Sequence, residues 1–432
     1  MSLIRKLVIQ NKAERDRFLG RPFMERDGTA GLRDSLEHGL AKVVVGPRRA
    51  GKSVQCFLAL RDKRFAYLNF DDENFLRLDD YDEIPAALSE VYGEVDFQFF
   101  DEIQNLPNWE LFINKLQRRG YNLILTGSNA KLLSRELGSA LTGRHQPFEV
   151  LPLGLSEFLR SRDLAADAET MALPERRGFV LRAAGEFLVS GGFPEVAIDG
   201  IPVMDYLGTL LDAILYKDIV VRHDIRAPRL LTDLCTYLLT NFAREYTFNS
   251  LRNALGAGSV STVENYVSHL EEAFLFFSLQ RYSFKIKETV RAPRKIYPVD
   301  NGLVAARARQ VSEDRGRLLE NAVFLELMRR GRVANQDMFY YKTAGDLEVD
   351  FVLLDGHNVD TLIQVCHSID NAGNRTREAR ALVQAAQELG NPKRIVVTWN
   401  EEGTIESHDV AIQSVPFWKF CTQGAATVGC LH

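Results

Sequence analysis

Eight consecutive residues, from Gly46 to Ser53, have the types and spacing of a phosphate-binding loop. They read Gly-Pro-Arg-Arg-Ala-Gly-Lys-Ser and fit the pattern G-x-x-x-x-G-K-[ST], in which the lysine reaches the β- and γ-phosphates and the hydroxyl binds Mg²⁺. Such a loop needs glycines because backbone N–H groups close around the phosphate at a helix N-terminus. The predicted nucleotide contacts are Gly46, Pro47, Arg48, Arg49, Ala50, Gly51, Lys52, Ser53 and Val54.

The segments that flank this loop favour a phosphate site over a glycine-rich turn that arose by chance. Ala41 to Val45 is apolar and β-branched, as expected for a buried parallel strand, and Val54 to Leu60 is typical of a helix. We therefore expect the loop to connect a strand to a helix.

A second pair of candidate residues, Asp101 and Glu102, follows an aromatic strand that starts near Val95. An acidic pair at a strand end is weak evidence alone, but this one comes about fifty residues after the loop and has the form of a Walker B motif. Asp101 would hold Mg²⁺ through its water shell, and Glu102 would orient and deprotonate the attacking water.

Two further candidates follow along the chain. Ser128 and Asn129 close the predicted strand Asn122–Thr126, where a polar side chain can contact the γ-phosphate or the water; the alternative is a simple turn. Arg144 ends a helical stretch. It is either a finger that completes a nucleotide site, in its own chain or in a neighbouring subunit, or a surface residue favoured by the helix dipole.

Composition places the chain among globular proteins of several domains. Its 432 residues predict roughly two to four domains, and a net charge of −5 leaves any DNA contact to local basic patches. The five cysteines form no C-x-x-C pair, which argues against a disulfide framework or a zinc site. With no apolar run of about 18 residues and no apolar core of a signal peptide, we expect a cytoplasmic protein without membrane contact.

The first half of the chain divides into three predicted regions. Residues 1–35 form a helical arm of mixed charge, whose basic residues either contact nucleotide or nucleic acid or form a solvated face. Residues 36–155 alternate strands with helices, which predicts a parallel sheet with helices on both faces. Residues 156–225 are helical and would form a lid over the nucleotide.

Six motifs occur in order and together resemble a family. They are Gly-Pro-Arg-Arg-Ala-Gly-Lys-Ser, Phe-Phe-Asp-Glu-Ile-Gln, Leu-Thr-Gly-Ser-Asn, Leu-Thr-Gly-Arg, Leu-Pro-Leu-Gly-Leu-Ser-Glu-Phe and Ser-Gly-Gly-Phe-Pro-Glu. The chain resembles, over nearly its whole length, the prokaryotic AAA-type ATPases of the AAA+ superfamily with a C-terminal domain of unknown function 4143. The resemblance implies that ATP is bound and hydrolysed.

The last of these motifs has two interpretations. Gly192 to Pro194 looks like the G-x-P signature of related signalling ATPases, which packs near the base, so Pro194 is a candidate nucleotide contact. The alternative is a helix-breaking turn, because proline interrupts a helix.

Residues 226–300 have the element order of a winged helix. The exposed residues of its predicted recognition helix, Thr262, Glu264, Asn265 and Ser268, are polar but not basic. Positive charge is expected on the wing instead, where five residues would contact DNA phosphates: Lys285, Lys287, Arg291, Arg294 and Lys295. Winged helices also pack against proteins, so DNA binding and protein binding both stay open.

Residues 301–432 resemble the core of PD-(D/E)xK nucleases. A helix with Glu320 precedes Glu348 and Asp350, and a strand with Gln364 and Cys366 follows. A working site would need an acid at position 364 and a lysine at position 366. We therefore expect no DNA cleavage, although the three remaining carboxylates could leave a weak Mg²⁺ site.

The combined prediction is an α/β protein with an AAA-type P-loop ATPase core and helical lid, a winged helix and a nuclease-like C-terminal domain. It would couple ATP hydrolysis to conformational change on DNA or a nucleoprotein complex, in a form compatible with a homo-oligomer. The alternatives are a nucleotide-dependent signalling switch that binds proteins and an ATP-gated nuclease.

Overall fold

A computed structural model describes residues 2–78, 80–130, 143–308, 314–369, 372–407 and 410–423. The chain forms two compact units, one of residues 1–151 with 272–274 and one of residues 152–271 with 275–432.

The first unit is built on a parallel sheet of five strands in the order β2-β3-β4-β1-β5. Its central strands are buried along their full length, which explains their nearly continuous apolar sequences. The predicted α/β core with a parallel sheet is therefore confirmed. The strands are β1 (Ala41–Val45), β2 (Phe65–Asn69), β3 (Phe97–Asp101), β4 (Leu123–Gly127) and β5 (His145–Glu149).

Helices and an aromatic cluster complete this unit. The ring of Phe57 lies 5.1 Å from that of Tyr67 and 5.4 Å from that of Phe99, which fixes the helix after β1 on the sheet. The helices are Leu3–Leu19, Thr29–Ser35, Lys52–Ala59, Glu83–Tyr92 and Trp109–Arg118, with 3₁₀ turns at Glu73–Arg77 and Ile103–Asn105.

In the N-terminal helix, two of the basic residues expected to contact nucleotide or nucleic acid or to form a solvated face contact the protein itself instead. Leu7 and Val8 of this helix are buried. Lys12 donates to the carbonyl of Val91 (3.0 Å), and Arg15 donates to that of Phe65 (2.7 Å). These cations therefore bind the protein's own backbone.

The second unit begins with helices. They are Leu155–Arg160, Ala168–Ala172, Pro174–Ser190, Pro194–Ala197 and Val203–Ala213, followed by a π-helical segment, Ile214–Val221. Asp300 binds the turn between two of them, because its carboxylate accepts from the N–H group of Gly192 at 2.7 Å. The same carboxylate caps the helix that follows Asp300 by accepting from the N–H of Gly302, also at 2.7 Å. Burial raises the pKa of Asp300 to about 6.

A small antiparallel sheet follows, in the order β6-β8-β7. Its strands are β6 (Glu245–Tyr246), β7 (Phe276–Gln280) and β8 (Arg294–Pro298). The helix Val260–Glu272 buries Val263, Tyr266, Val267 and Leu270. The other helices of this region are Pro228–Thr240, Phe248–Leu255 and Ile286–Arg291.

The C-terminal region contains a mixed sheet of six strands in the order β13-β14-β12-β11-β10-β9. The strands β11 and β12 are parallel, and β10 is antiparallel to both of its neighbours. The strands are β9 (Met338–Lys342), β10 (Glu348–Asp355), β11 (Asn358–Cys366), β12 (Lys393–Thr398), β13 (Gly403–Ser407) and β14 (Val410–Pro416). The helices are Asn301–Arg307, Arg315–Arg329, Ala372–Glu388 and Phe417–Thr422.

Two predictions from composition can be compared with the part of the chain that the structure describes. Its four cysteines, Cys56, Cys235, Cys366 and Cys421, are free and buried. Within the same residues, no helix has the length and apolar character needed to cross a bilayer.

We expect Gly192→Ala to destabilise the second unit. A Cβ atom there would lie 2.0 Å from the carbonyl oxygen of Leu153, so the backbone must shift, at a cost of about 1–3 kcal/mol. Urea unfolding followed by near-UV circular dichroism measures the effect. The control is Gly178→Ala in the helix Pro174–Ser190, where an added Cβ meets nothing within 4 Å and stability should rise by at most about 1 kcal/mol. Equal stability of the two variants would contradict the packing role of Gly192.

Candidate functional site

The loop after β1 has a backbone that requires glycine. Gly46 and Gly51 have φ angles of 151° and 94°, which disfavour side chains. A Cβ atom on Gly46 would lie 2.0 Å from the carbonyl oxygen of Val150. Because the helix Lys52–Ala59 begins at the loop, its free N–H groups lie at the carboxyl edge of the sheet. This geometry fits a phosphate group.

The side chain of Lys52 folds back over the loop. Its Nζ donates to the carbonyls of Gly46 (3.2 Å) and Pro47 (3.0 Å), and it lies 3.4 Å from a carboxylate oxygen of Glu102. The lysine side chain is only 4% exposed. The ammonium is therefore held at the loop by weak neutral acceptors and one anion, which a phosphate oxygen can replace.

Asp101 is the last residue of β3, and its carboxylate accepts hydrogen bonds from three hydroxyl groups. Its Oδ1 accepts from Ser53 Oγ (3.0 Å) and from the Thr126 hydroxyl, and its Oδ2 accepts from Tyr67 Oη (3.1 Å). Burial, reinforced by the charge of Glu102, raises the pKa of Asp101 to about 6. Carboxylate and hydroxyl oxygens are the ligands that Mg²⁺ prefers, so Asp101 and Ser53 fit this ion.

Glu102 is held in an unusual conformation. Its φ angle of 52° lies in the left-handed region, and its N–H donates to Thr126 Oγ1 at 2.9 Å. Gln104 Nε2 donates to its carboxylate at 2.5 Å. Burial would raise the pKa of Glu102, but the Lys52 ammonium and the Gln104 amide together keep it below its ordinary value. The group is therefore an anion at neutral pH and can accept a proton.

The predicted residues after β4 lie at the same edge. Ser128 and Asn129 are buried, with 1% and 6% of their surface exposed. Gln104 Nε2 also donates to Ser128 Oγ at 3.4 Å, which links Ser128 to Glu102 through one amide. The structure thus brings Ser128 into the network of the acidic pair.

Arg144 lies at the opposite edge of the sheet. It precedes β5, whose first residue, His145, pairs with Ala41 at the start of β1, and its carbonyl accepts from the Ala41 N–H at 3.1 Å. The phosphate loop follows the other end of β1, about 13 Å away at 3.3 Å per residue. Arg144 therefore does not reach the loop of its own chain, which removes one of the two predicted arrangements of a finger.

Four residues of the site were not assigned a role from the sequence. Arg26, only 8% exposed, donates to the carbonyls of Ala50 (2.8 Å) and Leu151 (2.9 Å) and so holds the loop against the chain that follows β5. The others are Tyr67, Gln104 and Thr126. The hydroxyls of Tyr67 and Thr126 interrupt apolar strands, which is a usable signal, whereas nothing near Arg26 in the sequence points to its role.

Pro194 begins the helix Pro194–Ala197 in the second unit. Proline suits the first position of a helix because its missing N–H would be unpaired there. The two preceding glycines allow the close approach to Asp300 and Leu153. A contact between Pro194 and nucleotide stays a prediction.

The predicted wing residues have different environments. Lys295 is 1% exposed and pairs with carboxylates of the C-terminal region, so its prediction as a phosphate contact is wrong. Arg294 lies over the ring of Phe248 at 5.2 Å, and Lys285 pairs with Glu288 at 3.0 Å. Lys287 and Arg291 are exposed.

The two positions where a nuclease would need charged groups, 364 and 366, make hydrogen bonds with the backbone instead. Gln364 Oε1 accepts from the N–H of Asp350 at 3.3 Å, and Cys366 Sγ donates to the carbonyl of Ser368 at 3.0 Å. The lysine missing at position 366 has a counterpart near Asp350, namely Lys295 from β8, whose Nζ lies 3.1 Å from Oδ1.

Known families match most of the chain. Residues 38–159 match the family described as AAA domain, residues 182–314 match the domain of unknown function DUF8612, and residues 315–419 match the domain of unknown function DUF4143.

Two relatives align with nearly the full length. An uncharacterized protein of Methanocaldococcus jannaschii is 34% identical over 396 residues, covering 88% of this chain and 87% of its own. An uncharacterized protein of Haemophilus influenzae is 28% identical over 399 residues, covering 87% of this chain and 93% of its own. Among solved structures, a Walker-type ATPase of Pyrococcus abyssi has a TM-score of 0.42 at 18% identity and covers 67% of this chain and 99% of its own.

Substitutions in the site should separate nucleotide binding from turnover. We expect Lys52→Ala to lose ATP binding, because the phosphates lose their counter-ion. We expect Glu102→Gln to bind ATP but to hydrolyse it at least about 10²-fold more slowly, because an amide cannot act as a base. Binding of a fluorescent ATP analogue and phosphate release measure the two steps. Unchanged hydrolysis in Glu102→Gln would remove Glu102 from the chemistry.

Proposed function

This chain belongs to the family of AAA-type P-loop ATPases with a C-terminal DUF4143 domain, and we propose that it binds Mg²⁺–ATP and hydrolyses it. One observation carries the proposal: the Lys52 ammonium lies 3.4 Å from the Glu102 carboxylate, beside a carboxylate that accepts from Ser53. A cation for phosphates, an oxygen pair for a metal and an ionised base thus meet at one helix N-terminus.

Each residue has a chemical role in this proposal. The N–H groups of the loop bind the phosphates, and Lys52 exchanges the carbonyls of Gly46 and Pro47 for β- and γ-phosphate oxygens. Ser53 and Asp101 would hold Mg²⁺, which would neutralise negative charge on the phosphate oxygens during phosphoryl transfer. Glu102 takes a proton from the attacking water. Gln104 orients the Glu102 carboxylate for this by donating a hydrogen bond to it.

The region after residue 226 supports a role on DNA or nucleoprotein. Its elements follow the order helix, strand, helix, helix, strand, helix, strand. Apart from the short helix Ile286–Arg291 before the last strand, this is the order of a winged helix. The exposed face of the third helix, with Glu264, Asn265 and Ser268, carries no cation. Positive charge is concentrated instead in the segment between β7 and β8, where Lys287 and Arg291 are exposed. We infer that this wing contacts DNA phosphates.

The same segment also supports the second candidate function, a nucleotide-dependent switch that binds proteins. Phe284 and Ile286 are 75% and 81% exposed, and Val290 is 61% exposed. Exposed apolar side chains this close together are typical of surfaces that bind a partner. A protein partner would bury these three side chains, whereas DNA would mainly use the cations beside them.

The DNA role predicts a stimulated ATPase rate. Single-stranded, duplex or branched DNA should raise the rate, and Lys287→Glu with Arg291→Glu should abolish the stimulation while the basal rate stays unchanged. The matched control is Arg229→Glu, an exposed arginine outside the wing whose side chain is 96% exposed. If DNA has no effect but Phe284→Ser weakens capture of a protein partner, the switch is the better description.

The position of Arg144 predicts that any finger acts between subunits. Arg144→Ala should bind ATP normally and hydrolyse it poorly, and mixing it with Lys52→Ala should restore part of the activity, because each variant contributes the part that the other lacks. Phosphate release from the mixture, compared with the two separate proteins, measures this. Activity that does not depend on Arg144 would make it a surface residue.

A further inference from the structure

Lys295 lies on β8 of the small antiparallel sheet, but its side chain pairs with carboxylates of the C-terminal region. Side chains of a strand alternate between faces, so Lys295 shares one face of β8 with Tyr297. The ring of Tyr297 stacks on that of Phe324 at 4.2 Å with an interplanar angle of 6°, and it lies 5.9 Å from the ring of Phe351. This apolar contact fixes where the Lys295 side chain ends.

The ammonium of Lys295 has three carboxylate partners. Its Nζ lies 2.7 Å from Glu320 Oε1, 2.8 Å from Glu348 Oε1 and 3.1 Å from Asp350 Oδ1. A lysine ammonium has three N–H donors and no acceptor; two of them donate to Glu320 and Asp350, and Glu348 is a third ion-pair partner. With 1% of the side chain exposed, water cannot complete this shell.

The cluster holds more negative charge than one ammonium neutralises. Tyr297 donates to Glu320 Oε1 at 2.7 Å, and the N–H of Val365 donates to Asp350 Oδ2 at 2.9 Å, which stabilises two of the anions. Carboxylates gathered in this way commonly bind a divalent cation.

The observed distances fit nitrogen rather than a metal. Oxygen ligands lie about 2.0–2.1 Å from Mg²⁺ and about 2.3–2.6 Å from Ca²⁺, whereas the three oxygens here surround Nζ at hydrogen-bond distance. The ammonium thus lies between the three carboxylates as their common ion-pair partner.

We propose that Lys295 is the built-in cation of this cluster and that it excludes a divalent metal from Glu320, Glu348 and Asp350. This cluster then has no metal-dependent chemistry while β8 is in place, and removal of the ammonium lets the three carboxylates close around a metal ion. The proposal does not depend on ATP hydrolysis, because no residue of the nucleotide site takes part.

Lys295→Met tests the proposal, since it keeps the aliphatic volume of the side chain and removes its charge. Without nucleotide, wild type should show no Mn²⁺ binding that depends on Asp350, and its melting temperature should not respond to Mn²⁺. Lys295→Met should melt lower without metal, because three carboxylates lose their counter-ion, and should recover with Mn²⁺. Isothermal titration should give an affinity more than about tenfold tighter than that of wild type.

The controls assign the metal to this cluster. Lys295→Met combined with Asp350→Asn should lose the Mn²⁺ response, and Lys285→Met, which removes an exposed lysine, should behave as wild type. A folded Lys295→Met that does not respond to Mn²⁺ would overturn the proposal. So would wild-type Mn²⁺ binding that Asp350→Asn abolishes.

Two measurements on the wild-type protein remove any dependence on the folding of variants. Crystals soaked in Mn²⁺ should show no anomalous peak between Glu320 and Asp350, and a peak there would overturn the proposal. Wild type should not cleave linear or branched DNA with Mg²⁺ or Mn²⁺. Cleavage that is lost in both Asp350→Asn and Lys295→Met would instead make Lys295 part of an active nuclease site.

Discussion

Parallel pairing of β1, β3 and β4 is the constraint on which the nucleotide site depends. The pairs Val45–Gly127 and Phe100–Leu125 bring the carboxyl ends of these strands to one edge. In a parallel sheet this edge is where a ligand can meet free backbone groups and several strand ends together. The loop, the acidic pair and the polar residues after β4 are distant in sequence and adjacent only because of this register.

Hydrogen bonds from side chains then fix the positions of the residues that the strand register brings to this edge. Thr126 donates to Asp101 and accepts from the N–H of Glu102, so one hydroxyl fixes both members of the acidic pair. The two carboxylates differ as a result. Hydroxyl donors surround Asp101, which suits metal binding, whereas Glu102 lies beside an ammonium and an amide and stays ionised, which suits a base.

Among the described residues, the buried lysines Lys52 and Lys295 both lie beside carboxylates, and they differ in whether a ligand can replace their partners. Lys52 has one anionic partner at 3.4 Å and two carbonyl acceptors, all of which an incoming phosphate can replace. Lys295 has three carboxylate partners within 3.1 Å, donates to two of them and has almost no exposed surface. The partners of Lys52 can therefore be replaced by a ligand, whereas Lys295 is itself the cation that its carboxylates bind.

The sequence by itself determined the phosphate loop, the acidic pair and the α/β core, because these depend on local patterns: glycines at fixed spacing, apolar strands and their polar ends. It also placed Val263, Tyr266, Val267 and Leu270 correctly on the buried face of one helix. Only the tertiary structure decided the roles of two cations. Arg26 contacts residues that lie 24 and 125 positions away in the sequence. Lys295 was predicted on the wing but pairs with carboxylates 25 and 55 positions further along the chain. The position of Arg144 relative to the phosphate loop also depended on the sheet register. Its motif matches a finger, but Arg144 precedes β5 at the edge of the sheet opposite the loop. A long, flexible cation can pair with any anion within reach, so its partner is set by packing and not by its neighbours in the sequence.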